Sequence, residues 1–215
     1  MNILPDPVNK INAAGQADAN GSAGPGFAKI KFRSSYQTQV SRTISGRGVQ
    51  ASPGFHNWEF DINYNPLTRA EFEPVMNFLE ERQGRLKPFF VILPQHSGPQ
   101  DSTLAGNIVT ASANAEGSTT INISGRTAGT FTKGDFITFT DPDDALHLKA
   151  YKVTSVLSLN SIKISPPLVR ALRSGSTINY VNPKFRVIQK GDVLEYDLDT
   201  DNLYQFSLSL EEIQP

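Results

Sequence analysis

The chain of 215 residues contains no cysteine. Disulfides, thiolate metal sites and cysteine nucleophiles are therefore excluded. It has almost no net charge, −1 at pH 7, so nothing global draws it to nucleic acid or to an anionic membrane. No stretch approaches the ~20 apolar residues of a membrane-spanning helix. The start, Met1-Asn2-Ile3-Leu4-Pro5-Asp6, lacks a basic flank and an apolar core, so no signal peptide is expected there. The expectation is a soluble protein folded in a reducing cytoplasm. Histidine is scarce as well. His56, His96 and His147 stand at no helical or strand spacing from one another, which predicts surface or packing roles and no zinc motif.

Signatures of catalysis are missing too. Asp141, Asp143 and Asp144 form one acidic cluster, but Asp-Pro-Asp-Asp lacks the glycine and the distal glutamate of a calcium loop. A solvated turn is expected, with a weak cation site as the alternative. Glu211-Glu212 could form a glycosidase pair only with another carboxylate facing them. Ser45-Gly46-Arg47-Gly48 lacks the Lys-Ser/Thr and the helix of a phosphate loop. No serine stands in a nucleophile elbow. No residue is assigned to catalysis, to a cofactor or to a metal, and no enzyme is expected.

What is present is organised around Trp58 to Pro94. Trp58, Phe60, Ile62 and Tyr64 alternate with Glu59, Asp61 and Asn63, the period-two pattern of a half-buried antiparallel strand. Asn65-Pro66 ends it. Thr68 with Glu71 three residues on has capping-box spacing, and Leu67 with Phe72 fits a hydrophobic staple. Phe72, Val75, Met76 and Leu79 then mark one apolar helical face, and Gly84 fits the left-handed stop. Pro74 inside this helix predicts a bend or a short first turn. Phe89 to Leu93 is a short apolar run, expected as a buried strand before Pro94.

On either side the chain is rich in turns. Residues 1–26 carry few large apolar side chains and are expected to be a flexible arm that orders against a neighbouring subunit, with Ile3, Leu4 and Val8 among its anchors. From Phe27 alternating residues predict a long β-hairpin leading into the Trp58 strand. Gly98-Pro99 marks a boundary, after which short strands recur between turn residues through residue 183. That spacing predicts a small β-barrel or sandwich over 98–183. Tyr204, Phe206, Leu208 and Leu210 alternate again, and such a final strand needs a sheet edge. The natural partner is the Trp58 strand, so 27–97 and 184–215 form one β-domain and 98–183 is inserted into it.

The order of these elements resembles a known family. Ser41 to Arg47, Trp58-Glu59-Phe60, Leu67 to Phe72, Phe78-Leu79 and Gly84-Arg85 through Phe89 to Pro94 look like the minor tail and distal tail proteins of tailed bacteriophages. Gly134-Asp135-Phe136-Ile137, Tyr151 to Thr154 and Ile164 to Leu168 resemble the small β-domain that some members insert. The resemblance implies a mainly β fold: a tail-tube-like split β-barrel with one flanking helix, plus the inserted domain. It implies a structural virion protein, assembled in the host cytoplasm, that forms a ring at the distal end of the tail tube. Its expected partners are copies of itself, six by analogy with tail tubes, the tail tube protein, and baseplate hub or tail-tip proteins. DNA would pass through the channel without specific binding, and no membrane is involved. Candidate interface residues are Arg42, Ile44 and Arg47 on the hairpin, Ile3, Leu4 and Val8 on the arm, and Arg170 and Arg173 in the loop after Pro166-Pro167. The alternatives are a carbohydrate-binding module of a phage tail contacting the host surface, or a small tail-borne hydrolase.

Overall fold

The computed structural model describes residues 2–51 and 56–214. In chain order the elements are β1 (Phe27–Tyr36), β2 (Gln39–Arg42), β3 (Gly48–Ala51), β4 (His56–Tyr64), α1 (Arg69–Arg82) and β5 (Phe89–Ile92). Then come β6 (Ala105–Thr110), β7 (Thr120–Ala128), β8 (Phe136–Thr140), β9 (Ala150–Ser158), β10 (Ser161–Ser165) and β11 (Thr177–Asn179). The chain closes with β12 (Lys184–Gln189), β13 (Tyr196–Leu198) and β14 (Tyr204–Glu212). It divides into two compact units, Met1–Phe90 with Val187–Ile213, and Val91–Arg186 with Gln214–Pro215. The division falls inside β5 and inside β12, where composition sets it at 97/98 and 183/184. Composition changes only at Gly98-Pro99, whereas the chain leaves the first unit while still extended.

The first unit is built on an open sheet of order β1-β4-β14-β12-β5, with β13 also paired to β14. Alternation along β4 buries His56, Trp58, Phe60, Ile62 and Tyr64 and leaves Asn57, Glu59, Asp61 and Asn63 toward water. β1 lies antiparallel on one side, from Phe27 opposite Tyr64 to Tyr36 opposite His56. β14 lies on the other, from Ser207 opposite Asn63 to Glu211 opposite Glu59, so the last strand joins the Trp58 strand as its periodicity requires.

Helix α1 starts at the N-cap Thr68, where the Glu71 carboxylate accepts from the Thr68 N–H (3.0 Å) and hydroxyl (2.7 Å). Phe72, Val75, Phe78 and Leu79 are buried, and Phe72 stacks on Tyr204 at 4.4 Å. The expected stripe included Met76, which is only half-buried. At ~100° per residue the buried face is centred on Val75 and Leu79, which turns Phe78 inward and Met76 outward. The helix continues through Pro74 and ends where Gln83 and then Gly84 adopt left-handed φ angles of 56° and 62°.

The N-terminal residues differ from the flexible arm expected of them. Ile3 and Leu4 are buried in the first unit, the Leu4 N–H donates to Phe90 O (2.8 Å) and the Phe90 N–H to Asn2 O (2.9 Å). Ile11 exchanges both backbone bonds with Ser22, and the Asp6 carboxylate is filled by Val8 N–H, Asn9 N–H and the Asn9 amide. Low apolar content misleads here because a few buried side chains, Ile3, Leu4 and Ile11, act together with backbone pairing. Gly21 permits it: a Cβ there would lie 2.2 Å from Ile11 O. The segment thus covers the outer edge of β5, and Ile3 and Leu4 are core residues rather than anchors for a neighbour.

In the second unit β6-β7-β10-β9-β8-β11 close into a barrel. Strands β8, β9 and β10 follow one another as hairpins and β11 returns beside β8, which is a Greek key. Of the barrel and the sandwich left open by strand spacing, the barrel forms. Ile108, Ile121, Phe131, Ile137, Tyr151 and Val153 fill it with the other inward residues.

Candidate functional site

Beyond the Tyr36–His56 pair the β1–β4 hairpin continues as a separate two-stranded ribbon, β2 on β3, running from Gln39 opposite Ala51 to Arg42 opposite Gly48. Every residue of both strands is exposed. The tip is nevertheless well made. The Thr43 N–H donates to Arg47 O (2.9 Å), the Gly46 N–H to Thr43 O (2.8 Å), and the Arg47 N–H to Thr43 Oγ1 (3.1 Å). These bonds hold Ile44 out at the apex, fully exposed at 111 %. Val40 pairs with Gln50 and Val49 with Ser41, so the valines project on opposite faces and neither meets a core. Arg42 and Arg47 flank the apex and make no ion pair among the described residues. A two-stranded hairpin with no covered face is marginal in water. Its apolar residues, its cations and its isolation all call for a partner surface.

The sheet below it has unequal edges. The β5 edge is covered by Asn2–Leu4. Among the described residues nothing covers β1, whose Lys29 and Lys31 are exposed while Arg33 is paired to Asp61 and, at 3.5 Å, to Glu59. Charged residues on an edge discourage indiscriminate pairing without forbidding a specific partner.

A second exposed feature was not singled out by sequence reasoning. The β13–β14 hairpin is held at its turn by Asp199 N–H to Leu203 O (3.0 Å), and just past the turn reciprocal bonds between Leu67 and Tyr204 tie it to the chain before α1. Between Asp192 and Asn202 it carries five acidic residues and no basic one. Val193, Tyr196 and Leu198 are exposed among them. A cleft of about 470 Å³ runs beside β13, lined among others by Asn63, Glu195, Tyr196, Asp197 and Gln205. Tyr64 also lines it. Its hydroxyl is buried without a hydrogen-bond partner, and burial, then the Asp6 carboxylate, push its pKa upward. The signal was present in Val193-Leu194-Glu195-Tyr196-Asp197-Leu198-Asp199, an alternation of apolar and acidic residues.

Arg170 and Arg173, expected to contact a partner, are engaged inside the second unit. Arg170 pairs with Asp144 at 3.0 Å and Arg173 pairs with Asp143. Asp141 is buried and accepts the Arg173 N–H (2.9 Å), the Asp143 N–H (2.9 Å) and the Ser176 hydroxyl (3.1 Å). Burial pushes its pKa up, but these bonds outweigh it and hold the carboxyl below its ordinary value. The acidic cluster is thus only partly solvated, Asp143 being exposed and Asp141 buried, and its oxygens fasten the β10–β11 connection to the barrel. His147 is buried beside it. The Tyr151 hydroxyl accepts the Val169 N–H (3.2 Å) and shares a hydrogen bond with His147 Nε2 (3.0 Å). Burial pushes the imidazole pKa down to about 4, against the opposing pull of Asp144 and Asp141.

Elsewhere the chemistry is dispersed. Glu211 and Glu212 point to opposite faces of β14: Glu211 pairs with Arg85 at 3.1 Å, and the buried Glu212 accepts the Trp58 N–H (3.3 Å). Among the described residues no group of three or more His, Asp or Glu side chains is placed to hold a metal ion. No helix among them is long and apolar enough to cross a membrane. Of the expected interface residues, the structure leaves Arg42, Ile44 and Arg47 together on the ribbon and Val8 exposed apart from them; Ile3 and Leu4 are buried, Arg170 is half-buried in its pair with Asp144, and Arg173 stays exposed while paired with Asp143. Compared with models of known protein families and with curated proteins, the sequence matches none.

Proposed function

We propose that this chain is a structural virion protein of a bacteriophage tail, with copies of it forming a ring at the distal end of the tail tube and joining the tube to the baseplate or tail tip. The observation that carries the reading is the ribbon: a well-formed, fully exposed two-stranded extension with Ile44 at its apex. It stands on a sheet with one covered edge and one open edge. Such a unit is built to be completed by another chain. A contact made by the ribbon on a different patch of its neighbour is heterologous, and it closes into a ring or grows as a filament. The family resemblance supplies the tail, the tail-tube-like architecture, the count of six and the DNA channel. Neighbouring partners on this reading are the tube protein and the hub or tip proteins.

The carbohydrate-binding alternative cannot use the one tryptophan, since Trp58 is buried and stacked on Phe32 at 4.9 Å; it would rest on the exposed Tyr36 or Tyr196. The test is electron microscopy of tails together with mass measurement of the purified chain. A ring at the tail tip, lost when Arg42–Val49 is replaced by a short turn, is the expected result. Normal tails from that variant, or monomeric density at the tip, would overturn the reading.

A further inference from the structure

We infer that the surface receiving the ribbon is the acidic β13–β14 hairpin of a second copy of this chain, with Ile44 seated against Val193 and Leu198 and the ribbon arginines facing Glu195 and Asp197. The inference rests on the ring reading and adds the acceptor to it.

Charge is the first reason. From Tyr36 to Ala51 the chain holds Arg42 and Arg47 and no acid, while from Asp192 to Asn202 it holds Asp192, Glu195, Asp197, Asp199 and Asp201 and no base. Among the described residues neither set is neutralised by an ion pair within its own chain. Apolar exposure is the second. The ribbon exposes Val40, Ile44 and Val49, and the hairpin exposes Val193, Tyr196 and Leu198. Each side therefore offers aliphatic contact ringed by charge of one sign, the arrangement in which charge steers docking and apolar area retains it. β13 adds a backbone edge, since among the described residues it pairs only with β14.

Topology explains why the acceptor lies on another copy. The ribbon leaves the sheet at the Tyr36–His56 end of the β1–β4 pair. The acidic hairpin leaves it at the Tyr64 end, where Leu67 is bonded to Tyr204. The two ends are separated by the length of β4, about 26 Å at ~3.3 Å per residue. A ribbon directed away from the sheet cannot meet its own hairpin but can meet the hairpin of the next molecule. Donor and acceptor are different patches, so each copy both gives and receives, as closure of a ring requires.

The absence of cysteine makes a clean test, because only engineered thiols will react. Full-length Ile44→Cys and Leu198→Cys chains are mixed and treated with a short bismaleimide. The expected product is the mixed dimer, in about tenfold excess over either homodimer, and a ladder of oligomers from the double variant. In parallel, D197K/D201K weakens self-association about tenfold or more, and combining it with R42E/R47E restores association. All these positions are exposed, so unchanged melting temperatures are the folding control. Assembly without a 44–198 cross-link, or with Ile44→Cys cross-linking only to itself, overturns this inference and leaves the ring reading standing. Cross-linking of Leu198→Cys in tails to a different protein overturns it as well. A chain that stays monomeric both alone and in tails overturns both.

Discussion

The six barrel strands of Val91–Arg186 close on one another, and the sheet of the other unit stays open. Closure removes edges altogether. In the second unit this cluster of charged groups is satisfied within the unit: buried Asp141 by backbone and Ser176, Asp144 by Arg170, and Asp143 by Arg173 at the surface. The open sheet manages its edges one at a time. Asn2–Leu4 cover β5, while β1 and the ribbon beyond it are left uncovered and carry unpaired cations. A closed unit leaves no strand edge to cover, whereas an open one keeps backbone groups at its edge that can accept a further strand.

The contrast can be broken most severely from within the open sheet. Phe60, at 0 % exposure, is central to β4, so Phe60→Ala should lower stability by about 3–5 kcal/mol. Followed by denaturation, it should shift the unfolding of the first unit and spare the barrel, whose core around Tyr151 and Ile137 is its own. A single transition moving as a whole would remove the idea of two separate cores.

Covering one edge is the next device to remove. Leu4→Ala takes away the side chain that fastens the N-terminal segment over β5 and should cost about 2–5 kcal/mol. Faster amide exchange at Phe90 would accompany it. If residues 2–26 were a free arm, the substitution would leave the melt unchanged.

The barrel has a built-in pH weakness. His147 has a folded pKa of about 4 against an ordinary 6.5. Within that interval the unfolded chain binds the proton and the folded one does not. Stability is therefore intact above pH 6.5 and falls as the pH drops toward 4, by roughly 2–3 kcal/mol at this one site. Below about pH 4 the lowered carboxyls of Asp141 and Asp144 add to the loss. Denaturant melts of His147→Gln should be flatter between pH 6.5 and 4, and an unchanged slope would assign the acid sensitivity elsewhere.

The smallest effect on folding should come from the ribbon. Ile44→Ser removes no buried surface and should change stability by less than about 0.5 kcal/mol. Its effect should appear instead in assembly, as a loss of oligomer by light scattering. Destabilisation of the monomer would mean that Ile44 is packed in the free chain after all.

Much of the frame was legible in local pattern. The alternation from Trp58 to Tyr64 named the buried face of β4, Thr68 and Glu71 named the start of α1, and Tyr204 to Leu210 named a strand that needed the Trp58 sheet. These features depend on neighbours in sequence, and a period of two or of 3.6 is set by backbone geometry alone. The low apolar content of residues 1–26 was legible too, but not its meaning, since Leu4 and Asn2 are held by the backbone of Phe90, far along the chain.

By itself, then, the sequence determined a cysteine-free, nearly neutral, mainly β chain with one capped helix and an inserted run of short strands. Those properties follow from composition and from short-range periodicity. Tertiary structure alone decided that the inserted strands close, that Arg170 and Arg173 pair with Asp144 and Asp143, and that one sheet edge is covered while the ribbon is left bare. Each of these depends on which distant backbone groups and charges meet, and sequence spacing does not encode that meeting.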